Sequence, residues 1–376
     1  MKLEILQENL VDSLKSVQKV IPSKPQLPIL SSILITAQKN KISLAATDLY
    51  VGMQTDVQGK IEKPGQVAVP GKLFYRSISS LKPGKLKIEL EEDSLKISST
   101  SNETSIQCLP PTEFPEFPQI EGEKVELKTE ILQEIDEKVS FSASIDQTRP
   151  VLTALLFEFN QAGLLVVGTD GFRLATLNLK PDASLEIPDG ESISYLIPAK
   201  AVSEAASLGQ QEVEEKISFT VSDELKQALF EIGKTKLFVR LIEGEYPPFG
   251  KIVPDGFSLI VELEGEAFAD QLKRAQVFAK EASNIVHLIF EDGQLKVVAK
   301  SPSFGQQEGE LDYKAIKGDD QEREIAFNTK YLLDFINSLK PEKIKFFMNE
   351  SLTPAMIRPD GDENYQHIVM PFRVNQ

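Results

Sequence analysis

The chain repeats itself, and that limits its architecture more than any other feature. "LPILSSILITAQKNKISLAATD" (residues 27–48) aligns without a gap to "RPVLTALLFEFNQAGLLVVGTD" (149–170), so that Pro28 meets Pro150 and Asp48 meets Asp170. A weaker third copy is "ASNIVHLIFEDGQLKVVAKS" (282–301). Each copy reads as an apolar strand, a polar turn and a second apolar strand. A second landmark recurs from Val69, Ile197 and Phe327: a strand end, a short amphipathic helix, a stop and a new strand. Phe74, Ile78 and Leu81, like Leu332, Ile336 and Leu339, step by four then three, which marks one face of a helix. Val202, Ala205 and Leu208 form a looser version, with Gly209 expected as its C-terminal cap. Each unit also opens on a helix, through Leu6, Leu10, Leu14 and Val17, through Leu132, Ile135 and Val139, and through Leu272, Ala275, Ala279 and Ala282.

"CLPPTEFPEFP" (108–118), "FVRLIEGEYPPFGKIVP" (238–254) and "HIVMPFRVNQ" (367–376) close the three units. The expected organisation is therefore three domains, residues 1–122, 126–248 and 254–376. Each carries two helices packed on antiparallel sheets, an α+β fold class. A length of 376 residues suits two or three cores rather than one.

The chemistry of turnover is sparse. The histidines are His287 and His367, both read as structural residues in or beside strands. Cys108 lacks an activating neighbour and reads as a buried or edge thiol; one cysteine precludes an internal disulfide framework and fits a reducing compartment. "SVQK" (16–19) and "SSLK" (79–82) have serine–lysine spacing without the companion motifs of acyl enzymes. "DGDEN" (360–364) reads as a hairpin turn rather than a calcium loop. There is no phosphate-binding glycine loop and no metal-spaced Cys/His cluster in the sequence. No apolar run approaches a membrane span, the first residues do not form a signal-peptide core, and the expected location is the cytoplasm. The net charge of −16 taken alone argues against a nucleic-acid partner.

"GTDGFRLA" (168–175) looks like an active-site loop and has a counterpart in "ATDLYVGM" (46–53). Asp170 and Asp48 each follow an apolar strand, so the repeated acid reads as a turn former. Arg173, which has no counterpart in the first copy, reads as the residue serving a site.

"KPQLPILSSILI", "AATDLYVGM", "VGTDGFRLA", "LIEGEYPPFGKIVP" and "IVMPFRV" together resemble, in order and spacing, the bacterial DNA sliding clamp family, the beta subunits of the DNA polymerase III holoenzyme. The resemblance covers essentially the whole chain. It implies three clamp-type domains, closed by a head-to-tail homodimer into a ring that encircles double-stranded DNA, with no catalysis and no cofactor. It also answers the charge objection, since a ring need only be unable to leave its thread. It implies as partners the replicative polymerase alpha subunit, the clamp loader, and repair and translesion polymerases.

Position by position, the resemblance places a client-peptide groove at Leu152, Thr169, Gly171, Phe172, Arg173, Leu174, Pro247, Lys251, Ile252, Ile368, Val369, Met370, Pro371, Phe372 and Arg373. Leucine, isoleucine and methionine would receive apolar anchors, while Thr169 and Arg173 would orient the peptide by hydrogen bonds. Phe172 stands where the family often has histidine, and "VNQ" (374–376) extends the tail. DNA-facing cations are expected at Lys24, Lys72, Arg76, Arg149, Lys200 and Lys273, with Lys15, Lys19 and Lys330 as further candidates, although the acidic helix "TEILQEIDEKV" interrupts a uniformly basic lining. The ring seam is expected to pair edge strands at 101–108 and 305–313 through Thr104, Ile106, Cys108, Glu308 and Glu310, with Lys72 or Arg76 as ionic partners. Two rival readings remain at this stage: a non-enzymatic scaffold that binds proteins without DNA, and a hydrolase using Asp170 and Arg173.

Overall fold

The computed structural model describes residues 1–122, 124–180, 192–318 and 321–373. It forms two compact units, Met1–Ile131 with Glu204–Leu241, and Leu132–Ser203 with Ile242–Gln376. The middle repeat is thus shared between them. Six α-helices occur among the described residues: α1 (Gln7–Val17), α2 (Gly71–Ser79), α3 (Thr129–Lys138), α4 (Ala199–Glu212), α5 (Gly265–Ala279) and α6 (Thr329–Leu339).

In the first unit, eight strands form one antiparallel sheet in the order Lys124–Lys128, Lys216–Ser222, Gln227–Ile232, Thr235–Arg240, Val51–Val57, Lys41–Thr47, Ser32–Gln38 and Gly65–Pro70. The sheet crosses the first repeat boundary where Val51 pairs with Val239. A second sheet of five strands ends on Glu103–Gln107. The hairpin 38–41 turns on Lys39 and Asn40, both with positive φ, as a two-residue turn matched to strand twist requires.

Helix α1 buries Leu10, Leu14 and Val17, while Leu6 is the last residue of the preceding strand and is exposed, so the helix starts one residue later than the apolar spacing suggests. Helix α2 buries Phe74 and Ile78 and stops at Ser79, before Leu81. The Gln7 side-chain amide donates to Ile78 O at 3.0 Å and Leu81 O at 3.2 Å, fastening the start of α1 to the end of α2.

The second unit holds a twelve-strand antiparallel array. Across the second repeat boundary, Arg173–Leu179 pairs with Tyr365–Val369, Arg173 lying opposite Val369. The long strand Gly305–Lys317 changes partner along its length: residues 305–312 pair with Gln294–Ser301, and 313–317 with Leu259–Glu264. Leu272, Ala275 and Ala279 on α5 and Leu332 and Ile336 on α6 are buried, as their spacing requires. The "DGDEN" segment is the turn between Ala355–Pro359 and Tyr365–Val369.

One local expectation fails. Gly209 does not cap α4 but lies inside it, and the helix runs on to Glu212 with Val213 in the left-handed region. A Cβ on Gly209 would sit 2.7 Å from Thr129 Cγ2 and 2.8 Å from Ile217 Cδ1. The glycine is there for close approach rather than for termination.

Candidate peptide-binding groove

The TDG turn is built by its own side chains. Asp170 Oδ1 accepts the N–H groups of Phe172 (2.9 Å) and Arg173 (3.0 Å). Thr169 Oγ1 donates to Arg173 O at 2.6 Å and accepts from the Gly171 N–H at 3.0 Å. Gly171 has φ +90, which an L side chain rarely adopts. The first copy repeats the arrangement: Asp48 Oδ1 accepts from Tyr50 and Val51, and Thr47 Oγ1 bonds with Leu49 N–H and Val51 O. The repeated acid is a turn former.

Arg173 and Thr169 each have a structural role in the chain. Arg173 is only 6% exposed and every guanidinium nitrogen is engaged. Nε donates to Asp170 Oδ2 (3.1 Å), one terminal nitrogen to Asp334 Oδ2 (2.7 Å) and the other to Phe141 O (2.6 Å). The cation also lies 4.8 Å from the centre of the Tyr331 ring and 5.6 Å from that of Phe141. It ties the turn to α6 and to residue 141. Thr169 is likewise hydrogen-bonded within the turn, while Arg173 keeps further N–H groups and borders an open cavity with Phe172, Lys330 and Tyr331. The neighbouring His367 is fully buried against Phe141 and Phe335; burial, reinforced by the Arg173 charge, lowers its pKa to about 3.

The apolar side of the site is formed. Leu174 and Ile368 belong to a buried cluster with Leu156, Leu196, Phe347 and Met356. Against it pack half-buried side chains, Val151, Ile242, Tyr246, Phe249, Ile252 and Phe257 among them. Leu152 and Val369 are buried, Ile252 and Pro371 half-buried, and Gly171, Pro247, Lys251 and Arg373 exposed. Met370 is 39% exposed and its N–H donates to Phe172 O at 2.9 Å. Phe172 is 55% exposed and stacks on Tyr331. Tyr246, which the sequence reading passed over, donates to Val167 O at 3.3 Å, and burial raises its phenol well above the ordinary value. Its sequence signal is the Tyr246-Pro247 pair, which Phe114-Pro115 repeats in the first closing segment.

Phe372 is a correction. Its N–H donates to Ala326 O at 2.7 Å, and its side chain lines a separate cavity with Arg323, Ala326 and Leu352. The terminal "VNQ" lies outside the described residues.

Lys24, Lys72, Arg76, Arg149, Lys200 and Lys273 are all exposed. Arg149 and Lys273 have acids 3.8 Å away, Asp146 and Asp270 respectively. Lys15 is also exposed, while Lys19 and Lys330 are tied to Glu204 (2.9 Å) and Asp334 (2.5 Å). Of the seam residues, Glu308 and Glu310 are exposed and Thr104 is half-buried. Ile106 is 3% exposed and faces the core of its own sheet, so it does not seal a seam. The strand alternates, and Ile106 falls on the inward phase. Cys108 Sγ donates to Ile106 O at 3.4 Å, and burial pushes its thiol up.

Three repeats of one α+β plan, with an apolar band beside a self-locked turn at the second boundary, define a clamp-type protein. Family models of the DNA polymerase III beta subunit match throughout: the N-terminal domain at residues 1–118, the central domain at 126–248 and the C-terminal domain at 250–373. The beta sliding clamp of Synechocystis sp. is 30% identical, covering all of both chains. The crystal structure of the DNA polymerase III beta subunit of Thermotoga maritima superposes with a TM-score of 0.90 at 27% identity, and the sliding clamp of Bacillus subtilis with 0.89 at 26%, each covering 100% of both chains. The chain belongs to the DNA polymerase III beta subunit family, the beta sliding clamps, which are non-catalytic processivity factors.

Proposed function

We propose that two copies of this chain close head to tail into a ring around duplex DNA and hold the replicative polymerase there through the groove at the second repeat boundary. The domains of that ring are residues 1–122, 126–248 and 254–376. Family membership supports DNA, a polymerase and a second copy as partners. The alpha subunit, the clamp loader, and repair and translesion polymerases would take turns at one groove. Two strands suit the closure. Glu103–Gln107 ends its sheet, and residues 305–312 pair with one strand only among the described residues. Backbone pairing between such edges supplies register. Among the described residues no helix is long and apolar enough to cross a membrane. A ring working on chromosomal DNA would act in the cytoplasm.

The observation that carries the groove is the half-buried band of Tyr246, Phe249 and Ile252 over the Leu174–Ile368 cluster, with Met370 exposed at its edge. Apolar anchors would seat there, and a methionine adapts to anchors of different shape. Lys251, which is exposed, precedes Ile252 in the chain. The test is Met370→Ala with Ile252→Ala, titrated with a labelled client peptide. Affinity should fall at least tenfold while sedimentation still reports the dimer. Unchanged affinity would reject the groove.

A further inference from the structure

The two repeat boundaries match in more than their turns. The Arg240 N–H donates to Tyr50 O at 2.8 Å, as the Met370 N–H donates to Phe172 O at 2.9 Å. The pairings Val51 with Val239 and Arg173 with Val369 put Phe238 in the place of Ile368, Gly52 in that of Leu174, and Arg240 in that of Met370. The connecting segments align too, Phe114-Pro115-Glu116-Phe117 with Tyr246-Pro247-Pro248-Phe249.

Phe249, the counterpart of Phe117, also packs half-buried on its own cluster; what differs is the residue beneath the ring, glycine at 52 and leucine at 174, and with it the depth to which the ring sinks. At the first boundary the Phe117 ring stacks on Phe238, with centroids 4.7 Å apart and planes at 29°. A Cβ on Gly52 would lie 2.2 Å from Phe117 Cε1. The ring therefore takes the space into which a side chain at position 52 would grow, where the second boundary has leucine. Only about 100 Å³ remains open there, bordered by Leu49, Tyr50, Gln227, Phe238 and Arg240. Leu49 and Tyr50 stay 47% and 62% exposed around it.

We infer that the first boundary is a second copy of the peptide groove, occupied in cis by Phe117, with Gly52 as the residue that admits the ring. This rests on the reading of the second boundary as a peptide site. A tethered ring has an effective concentration on the order of millimolar. A free peptide must displace the ring from Phe238 before it can seat there. The chain then offers one external site instead of two. The ligand that suits the vacated cleft has an aromatic anchor to replace Phe117 and an acidic flank for Arg240, which is exposed.

The test counts sites by calorimetry with a synthetic peptide carrying an acidic residue, a leucine and a phenylalanine. Phe117→Ala should add one site per chain to its parent in two backgrounds, wild type and Met370→Glu. No added site in either background overturns the inference. The comparison of Met370→Glu with wild type separately judges the groove at the second boundary, so the two readings fail independently. Should Phe117→Ala not fold, the seat is read by Phe117→Trp, since the chain has no other tryptophan. Its emission should be that of a buried indole and should shift to the red when Gly52→Ala is added. An emission unaffected by Gly52→Ala overturns the inference equally.

Discussion

At the scale of single residues, the turn-forming acids were legible because an Asx turn is local: Asp48 and Asp170 need only the next three residues. The role of Arg173 was not legible, because its partners Phe141 and Asp334 lie far away in sequence. Removing that cation leaves two carboxylates facing each other without it. Arg173→Ala should therefore destabilise the fold by about 3–5 kcal/mol, and Arg173→Lys should recover only part, since one ammonium cannot replace three directed donors. Urea unfolding checks this; a loss under about 1 kcal/mol would mean the cage is ornamental. His367 gives a second prediction. Its unfolded imidazole protonates near pH 6.5 and the buried one only at about 3. Between those values unfolding takes up a proton, so stability is complete above pH 6.5 and falls as pH drops, by about 1.4 kcal/mol per pH unit. His367→Phe keeps a ring for the stack on Phe335 and should flatten the stability curve by that slope between pH 6 and 4. Parallel curves for the two proteins would contradict the assignment.

At the scale of elements, the helices were readable because each shows one apolar face to a sheet, and period 3.6 records that face directly. Their ends were less readable. Gly209 has the residue type of a C-cap, but the criterion that decides is Thr129 and Ile217 pressing on it from other elements. An ordinary mid-helix Gly→Ala gains about 1 kcal/mol. At Gly209 the added methyl meets side chains at 2.7–2.8 Å, so Gly209→Ala should show no gain, and Gly209→Leu should cost about 1–3 kcal/mol. Thermal melting of both variants decides it, and a stabilised alanine variant would restore the capping explanation. The seam strand teaches a similar lesson. The 101–108 segment was identifiable as an edge, yet which side chains face inward depends on register, and register put Ile106 in the core.

At the scale of the whole molecule, the repeat was the most legible feature, since it is written three times, whereas the crossing of sheets from one repeat to the next depends on pairings such as Leu237 with Met53 that no local pattern reports. The same scale resolves the charge. A protein that held DNA by neutralising six to ten phosphates would lose about 10³–10⁵ in affinity between 50 and 200 mM salt. A chain of net charge −16 is poorly suited to such a grip and well suited to a closed ring with a few inward cations. Loaded on a nicked circle, the dimer should stay bound with a half-life that changes less than about tenfold over that salt range, because leaving requires opening a seam rather than breaking phosphate contacts. Cutting the circle once should release it within minutes at either salt concentration, by sliding off the ends. Lys24→Ala with Arg149→Ala should alter loading more than retention on the intact circle. Retention that ignores the cut, or that collapses with salt on uncut circles, would mean the DNA is gripped and not enclosed.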